Sequence, residues 1–552
     1  MQRKLFAFLL LIPLTFSSFA FTGSDYSEAM SMAVKFFGAQ RCGNTYNWML
    51  HENKSNNGDK CHTKDAYNGT DVSGGWHDCG DHIKVATTMG YAAICLLSAY
   101  DIWPAAFDDK YDSIYGSPNK IPDVLDEAKT ATDFFMKSLV NGNFVYYVGG
   151  SGDHNKWVTS EFQSTLGSGD GGDPRSVTAS NSAGGAQAAD YSSALTLMAI
   201  HYPNSAYASK CKEYSLKLYE FAKAHPTNIS IPEFYTSPNA ETCDELGLAA
   251  ILLYNLTGTE TYLTEAIGYF KEKWESNAPL AWDTKGDIAY YYITKAKYNA
   301  SNGDGGPIRS FLYKNVKSGV YAANSYGIPW KWFKSNWGTN KLASGSAFAA
   351  ALYSKLVEDG VYKIVYDSLS MEQSDSYNRK IVDYMLGSNE IKHPFIHGYK
   401  GDMYCKVHHR NAMGRDDNPD AGGKNSATFM FKSGALIGGP AKEGSFSNIV
   451  EGGDAFKETE SGCDYNGPFI GALANLVSKL DPKENTSIRN NISKRQALTD
   501  IMSSNKPVSI VDIRGRIVSN VNNRNLSTMA KGLYFVPTAG AHYSLTKFVN
   551  VK

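Results

Sequence analysis

Apolar residues recur at intervals of three and four along most of the chain. Tyr26, Met30, Ala33 and Phe37 form one stripe, and Val85, Met89, Ala92, Leu96 and Ala99 form another. That period belongs to a helix burying one face. Ile121-Pro122 opens a third helix, with Leu125, Ala128 and Phe135 on its stripe and proline in the tolerant first turn. Further helices are predicted over roughly 186–201, 212–224, 244–256, 261–274, 342–357, 377–386 and 467–479. Between them run long segments rich in Gly, Asp and Trp, at 53–81, 149–180, 275–340 and 388–465. Connections of that length are uncommon in compact domains unless functional, so the pattern predicts a helical scaffold whose loops carry a site. Periodicity does not separate a ring of helical hairpins from a stacked bundle.

The pattern changes near the end. Short strand-like runs appear at Val508 to Ile513, Arg516 to Val521, Gly532 to Val536 and Tyr543 to Val551, separated by turn residues. Residues 481–552 hold 11 basic and four acidic side chains, so the tail is cationic while the preceding part is acidic. The polar stretch at 481–500 is read as a linker.

The whole chain has 552 residues and a net charge of −1, with 42% hydrophobic, 20% charged and 13% aromatic residues. This excludes a disordered chain, a collagen and a small disulfide scaffold, and offers no global attraction to nucleic acid or an anionic membrane. Met1-Gln2-Arg3-Lys4, an apolar run from Leu5 to Phe16, and Ser18-Phe19-Ala20 read as a cleavable secretory signal over 1–20. No later stretch is long enough to span a membrane. Eight cysteines in an exported chain make some disulfide bridging an expectation, and the lack of C-x-x-C spacing argues against structural zinc.

Four constellations offer chemistry. Asp78 and Asp81, in Gly74-Gly75-Trp76-His77-Asp78-Cys79-Gly80-Asp81, stand at a helix entrance, where an ionised carboxylate suited to a general base is favoured over simple capping. Glu460, in a glycine-rich loop before the last helix, has its protonated form favoured if aromatic surface desolvates it, as a general acid requires. Val407-His408-His409-Arg410 lacks an evident third metal ligand, and His408 and Arg410 suit sugar hydroxyls. His154 with Trp157, and the group Trp330, Trp332 and Trp337, offer stacking faces, although most tryptophans are core.

Taken together, these pieces resemble glycoside hydrolase family 9, the inverting cellulases, over nearly all of 24–480. Asp71-Val-Ser-Gly-Gly-Trp-His-Asp78-Cys79-Gly80-Asp81 matches that family's "DVSGGWHDAGD" at every position but Cys79. Tyr26-Ser-Glu-Ala-Met with Gln40-Arg41-Cys-Gly, Asp153-His154-x-x-Trp157, Trp337-Gly338-Thr339, His408-x-Arg410 and Glu460-x-x-x-Asp464-Tyr465-Asn466 resemble its other motifs, in order. The resemblance implies an all-α (α/α)6 barrel over 21–480, with an open cleft, and the strand-like runs of the tail add a small C-terminal all-β domain over 501–552. It implies an endo-β-1,4-glucanase with a β-1,4-glucan substrate; the N-terminal signal and the tail add a secreted or cell-surface location, the near-zero net charge argues against a nucleic-acid partner, and a monomer is expected. By the same likeness Asp81 would be the base, Asp78 would help hold the water, and Glu460 would be the acid. His154, Trp157, Trp337, His408, Arg410 and Tyr465 would line the subsites.

Several positions depart from the pattern. Lys341-Leu342 stands where an Arg-Tyr pair is common, Asn239 where a tryptophan often appears, and Glu451 where the supporting carboxylate is usually Asp. Relatives bind calcium through a loop that here reads Gly184-Gly185-Ala186, although Asp244-Glu245-Leu246 is kept. With a carboxylate missing, no cofactor is expected to be required, and Asp244 is left as a weak calcium ligand at most. The tail resembles the C-terminal sorting domains of type IX secretion, through Val511-Asp512-x-x-Gly515-Arg516, Gly532-Leu-Tyr-Phe-Val and Lys547-Phe-Val-Asn-Val. Other readings are a small carbohydrate-binding tail, a hydrolase of another β-glucan or of cello-oligosaccharides, and a non-catalytic glucan-binding protein.

Overall fold

A computed structural model describes residues 21–44, 60–110, 118–231, 233–236, 242–270, 279–301, 308–330, 333, 337–361, 369–413, 434–447, 449 and 455–481, together with four strands of the tail. The signal segment 1–20 and most of the linker lie outside these residues, as do Asn239, Trp332 and Glu451.

Twelve helices of eleven or more residues are found among the described residues. They are α1 (Gly23–Gln40), α2 (Ala86–Ile102), α3 (Asp123–Phe135), α4 (Gly185–His201), α5 (Ser205–Ala224) and α6 (Cys243–Thr257), then α7 (Glu260–Phe270), α8 (Gly286–Ser301), α9 (Ile308–Ala322), α10 (Thr339–Glu358), α11 (Met371–Met385) and α12 (Cys463–Leu480). Six of them pack in a closed circuit: α2 on α4, then α6, α8, α10, α12 and back to α2. The alternate helices lie outside, with α1 on α12, α3 on α2 and α4, α5 on α4, α7 on α6, α9 on α8 and α11 on α10. The chain is thus mostly helical, in an arrangement consistent with an (α/α)6 barrel.

Sequence explains the two layers. α2 buries every residue but Asp101, because its composition is apolar or small all round. α5 buries only Cys211, Ser215, Leu218, Tyr219, Phe221 and Ala222 and presents lysines and glutamates elsewhere. A helix apolar on all sides must be surrounded, and one with a single stripe must cover something.

The segment 275–340, read from sequence as a loop, is corrected by the structure: it contains α8 and α9. The run Ile288 to Ile293 is fully or almost fully buried, so packing in the ring overrides the weak helix preference of three consecutive tyrosines. Two other helices begin earlier than their apolar stripes. α11 starts at Met371 behind a capping box in which Gln373 N donates to Ser370 Oγ (3.1 Å) and Ser370 N donates to Gln373 Oε1 (2.8 Å). α5 starts behind Asn204, whose side chain accepts from Tyr207 N at 3.0 Å.

A small antiparallel sheet flanks the barrel. Asn143–Val148 pairs with Lys84–Val85, Leu139–Val140 and Val177–Ser180. In the tail, Val508–Val511, Ile517–Val521, Leu533–Pro537 and Leu545–Val549 pair in one antiparallel sheet, with the first strand between the second and third. No helix among the described residues is long and apolar enough to cross a membrane.

The ring leaves little room at its seams. A Cβ on Gly345 of α10 would stand 1.9 Å from the carbonyl oxygen of Leu280, on the segment leading to α8. Gly345→Ala is therefore expected to lower stability by about 1–3 kcal/mol, measured by urea denaturation, through overpacking at this joint.

Candidate active site

Main-chain hydrogen bonds bring distant segments together at one end of the ring. Cys463 N donates to Asp78 O (3.0 Å), Arg410 N to Gly80 O (2.7 Å), His408 N to Thr459 O (2.9 Å) and Gly438 N to Glu460 O (2.9 Å). Glycine is required at position 80, since a Cβ there would meet the His408 carbonyl oxygen at 2.4 Å. His154 arrives by the flanking sheet. Lys84, just after Asp81, pairs with Val148, and the chain then turns into the short helix Ser151–Asn155.

The three carboxyl groups singled out from sequence meet here. Asp78, Asp81 and Glu460 are 3%, 1% and 8% exposed. His154 Nδ1 lies 2.6 Å from Asp81 Oδ2. The Cys79 thiol lies between the other two groups, with Sγ 3.2 Å from Glu460 Oε1 and 3.9 Å from Asp81 Oδ1. Those two oxygens therefore stand at most about 7 Å apart, both within reach of the same sulfur.

Burial raises carboxyl pKa values, yet the groups respond differently. For Asp81 burial is outweighed by the His154 hydrogen bond, the His154 charge and the Arg410 guanidinium, so its pKa is lowered. For Glu460 burial and the Asp81 charge prevail over the Cys79 hydrogen bond, Arg410 and Lys341, so its pKa is raised. Asp78 is pushed well above the ordinary range by burial and by the charges of Asp81 and Asp464. One group is thus favoured as the anion and its facing partner as the neutral acid.

The expected subsite residues lie around these groups. Arg410 sits 4.6 Å from the Trp157 ring centroid and donates through Nη2 to the His154 carbonyl oxygen. Its Nε and Nη1 are buried with no protein acceptor among the described residues, so two donors are available to a ligand. His408 packs edge-on against Trp157, with centroids 4.7 Å apart. Trp337 is 39% exposed and rests on Phe456. Tyr465 is buried beneath the Lys341 ammonium. Glu451 lies outside the described residues.

Four neighbours were not singled out as site residues from sequence. Thr88 Oγ1 donates to Asp78 Oδ1, and Tyr235 OH donates to Asp78 Oδ2 at 2.6 Å. Cys79 was noted only as a departure from a motif. Lys341, expected to alter a subsite contact, is paired with Asp464 Oδ2 at 3.2 Å. The one local signal was its place four residues after Trp337.

A second polar cluster lies beside this loop, which contributes His77 to it. The side chains of Cys42, Cys61, His62 and His77 are buried, with donor atoms within 4.8 Å of one another. His62 Nε2 is 3.1 Å from Gly171 O, and its Nδ1 is buried with no hydrogen-bond partner among the described residues. A lone pair on that nitrogen, beside two sulfurs and a second imidazole, suits a tetrahedral divalent ion. Sequence spacing argued against such a site because the donors come from three separate segments. The expected bridging is also corrected: all eight cysteines are unbridged. Asp244 accepts from Lys285 N at 2.6 Å, and the Lys285 ammonium lies 2.9 Å from Glu245 and 3.4 Å from Asp190. A buried side-chain cation thus stands next to the candidate calcium ligand.

A double ring of helices with buried carboxyl groups at one end, their pKa values displaced in opposite directions, defines a helical-barrel protein with a candidate acid–base pair. The profile of glycosyl hydrolase family 9 matches residues 26–473, and the chain belongs to that family. It is 38% identical over 269 residues to endoglucanase A of Fibrobacter succinogenes, covering 45% of this chain and 58% of that one. It is 27% identical to endoglucanase A of Bacillus pumilus, covering 82% of this chain and 66% of that one. The chain thus spans less than two thirds of the length of these relatives. Among solved structures, the cellulase Cel9M of C. cellulolyticum superposes with a TM-score of 0.66 at 27% identity, covering 82% of this chain and 98% of that one. A further Cel9M structure, 26% identical, is a complex with cellobiose.

The electrostatics of the pair can be tested directly. His154→Ala removes the donor and the charge that hold Asp81 low, so the Asp81 carboxyl is expected to titrate higher than in the wild type. Carbon-13 NMR of labelled aspartate carboxyls checks this, and an unchanged titration contradicts the assigned cause.

Proposed function

We propose that this chain is a secreted endo-β-1,4-glucanase that hydrolyses cellulose and related β-glucans with inversion at the anomeric carbon. One observation carries the reading: Asp81 and Glu460 are buried beside one another, joined through the Cys79 thiol, with pKa values displaced in opposite directions. Membership of the family and the endoglucanase and cellulase relatives support the substrate class.

In this mechanism a glucan chain lies along the cleft, stacking on Trp157 and Trp337, with hydroxyls taken by Arg410 and His408. Asp81, anionic and aligned by His154, removes a proton from a water opposite the glycosidic bond. Glu460, neutral, donates its proton to the departing oxygen while the water oxygen attacks the anomeric carbon from the other face. Asp78, fixed by Thr88 and Tyr235, has its protonated form favoured by burial and the neighbouring Asp81 charge and helps hold the water. The negative charge of the aspartate pair is then concentrated on the base.

In this reading Cys42, Cys61, His62 and His77 would hold a zinc-type ion. Bound there, it would supply no chemical step, and its ligation by His77 would pin the loop that carries Asp78 and Asp81. The bacterial route of export follows the basic N-terminal segment and the type IX-like tail, with the mature enzyme secreted or displayed at the cell surface. No calcium is required, since Lys285 supplies a cation beside Asp244.

Asp81→Asn and Glu460→Gln are each expected to lose about 10²–10⁴-fold in kcat on a soluble β-1,4-glucan while keeping the wild-type circular dichroism. Wild-type rates in either variant refute the assignment, and a first-formed β-anomer by NMR refutes inversion. The metal reading predicts about one zinc per chain by elemental analysis and a lower Tm after chelation. A Cys42–Cys61 disulfide without metal overturns it.

A further inference from the structure

The thiol between the two facing carboxyl groups has no counterpart in the family's motif, where alanine stands in place of Cys79. Its surroundings fix where it points. Gly462 leaves no space behind it, since a Cβ on that glycine would stand 3.1 Å from the Cys79 Cβ. Cys463 N bonds to Asp78 O on one side, and Arg410 N bonds to Gly80 O on the other. The sulfur therefore faces the gap. A thiol carries one proton and makes one donation at a time; Glu460 Oε1 at 3.2 Å is the nearer acceptor and Asp81 Oδ1 at 3.9 Å the farther. Burial and the charges of Asp81, Glu460 and Asp78 raise the thiol well above its ordinary range, so it remains a donor wherever the carboxyl groups titrate.

We propose that Cys79 is a positioning residue for the hydrolytic reaction, its S–H donating to Oε1 of Glu460 so that the transferable proton resides on Oε2. A carboxylic acid has one hydroxyl and one carbonyl oxygen, and a donor aimed at Oε1 makes that atom the carbonyl oxygen. The acid is then presented to the leaving oxygen in one orientation. The same donation stabilises the carboxylate that remains after proton transfer, so the thiol also moderates the pKa of Glu460.

This inference rests on Glu460 being the acid. The charged and titratable groups around Glu460 are Asp81, Asp78 and Cys79 from the 78–81 loop, Arg410 and His408 from the neighbouring segment, Lys341 from α10, and Asp464 and Tyr465 from α12. Of these, Cys79 donates a side-chain hydrogen bond to the Glu460 carboxyl.

The test compares the pH dependence of kcat/KM for wild type, Cys79→Ala and Cys79→Ser on a soluble β-1,4-glucan, alongside Glu460→Gln. The alanine variant carries the residue of the family's own motif, so folding is expected to be retained, and circular dichroism checks it. Loss of the donor raises the Glu460 pKa, so the alkaline limb is expected to move up by about half to one pH unit. Serine, which keeps a donor, is expected to return that limb towards wild type. Superimposed profiles for wild type and Cys79→Ala overturn the proposal, and so does an equal shift in the alanine and serine variants, which marks loss of volume instead of loss of a donor. Failure of the underlying reading is distinguishable: Glu460→Gln then stays active, whereas it is inactive if only the role of Cys79 is wrong.

Discussion

The site depends on closure of the inner ring, and above all on α12 lying between α10 and α2. α12 buries fifteen of its eighteen residues, which is possible only with partners on several sides. Each of these three inner helices has candidate-site residues near its N-terminal end. Asp78 and Asp81 come shortly before α2, Trp337 and Lys341 lie at the start of α10, and Glu460 comes shortly before α12. Residues almost four hundred positions apart are neighbours because the helices they introduce are neighbours. The pairing of Lys341 with Asp464 joins the first turns of α10 and α12 across that junction.

Burial alone does not specify roles within the cleft, since Asp81 and Glu460 are both almost fully enclosed. Partners decide the outcome. Asp81 receives an imidazole at 2.6 Å, close enough to overcome desolvation, whereas Glu460 receives a thiol, a weaker donor, and also faces the anion of Asp81. One ionised carboxyl favours the protonated form of the other. This asymmetry is what an acid and a base working at the same pH require.

Much of this was legible from sequence because it is written locally. The stripes of α1 and α2 follow their own periodicity, and the motifs containing Asp78, Asp81, His154, Arg410 and Glu460 are short runs that can be read without knowing what lies opposite. What escaped reading depends on tertiary contact. α8 begins with Gly286-Asp287 and continues through Tyr290, Tyr291 and Tyr292, a poor helix sequence that becomes helical because it is enclosed by α6 and α10. α5 and α11 begin in polar first turns, marked by Asn204 and by Ser370 with Gln373 and not by a hydrophobic stripe. Tyr235 and Thr88 meet Asp78 from positions that carry no motif. The Cys42, Cys61, His62 and His77 grouping draws on three segments, so spacing rules written for donors on one loop did not register it.

The loop bearing Asp78 and Asp81 is braced by polar contacts to an unusual degree for a barrel built on apolar packing. Behind it, Arg175 bonds Asp65 at 2.6 Å and Asp153 at 3.1 Å, and Lys84 pairs with Asp65 at 3.0 Å, all of them buried. Isolated buried charges are strongly unfavourable, and a network of this kind is tolerated only when its members satisfy one another. Asp153 immediately precedes His154, and Lys84 follows Asp81 by three positions, so the same ion pairs that satisfy Arg175 also register the imidazole against the carboxylate it aligns. Apolar packing could hold these segments together, but it is non-directional, whereas a bidentate guanidinium fixes angle as well as distance. The helices thus bring the catalytic candidates to one place, and the buried charges behind the loop set their mutual orientation.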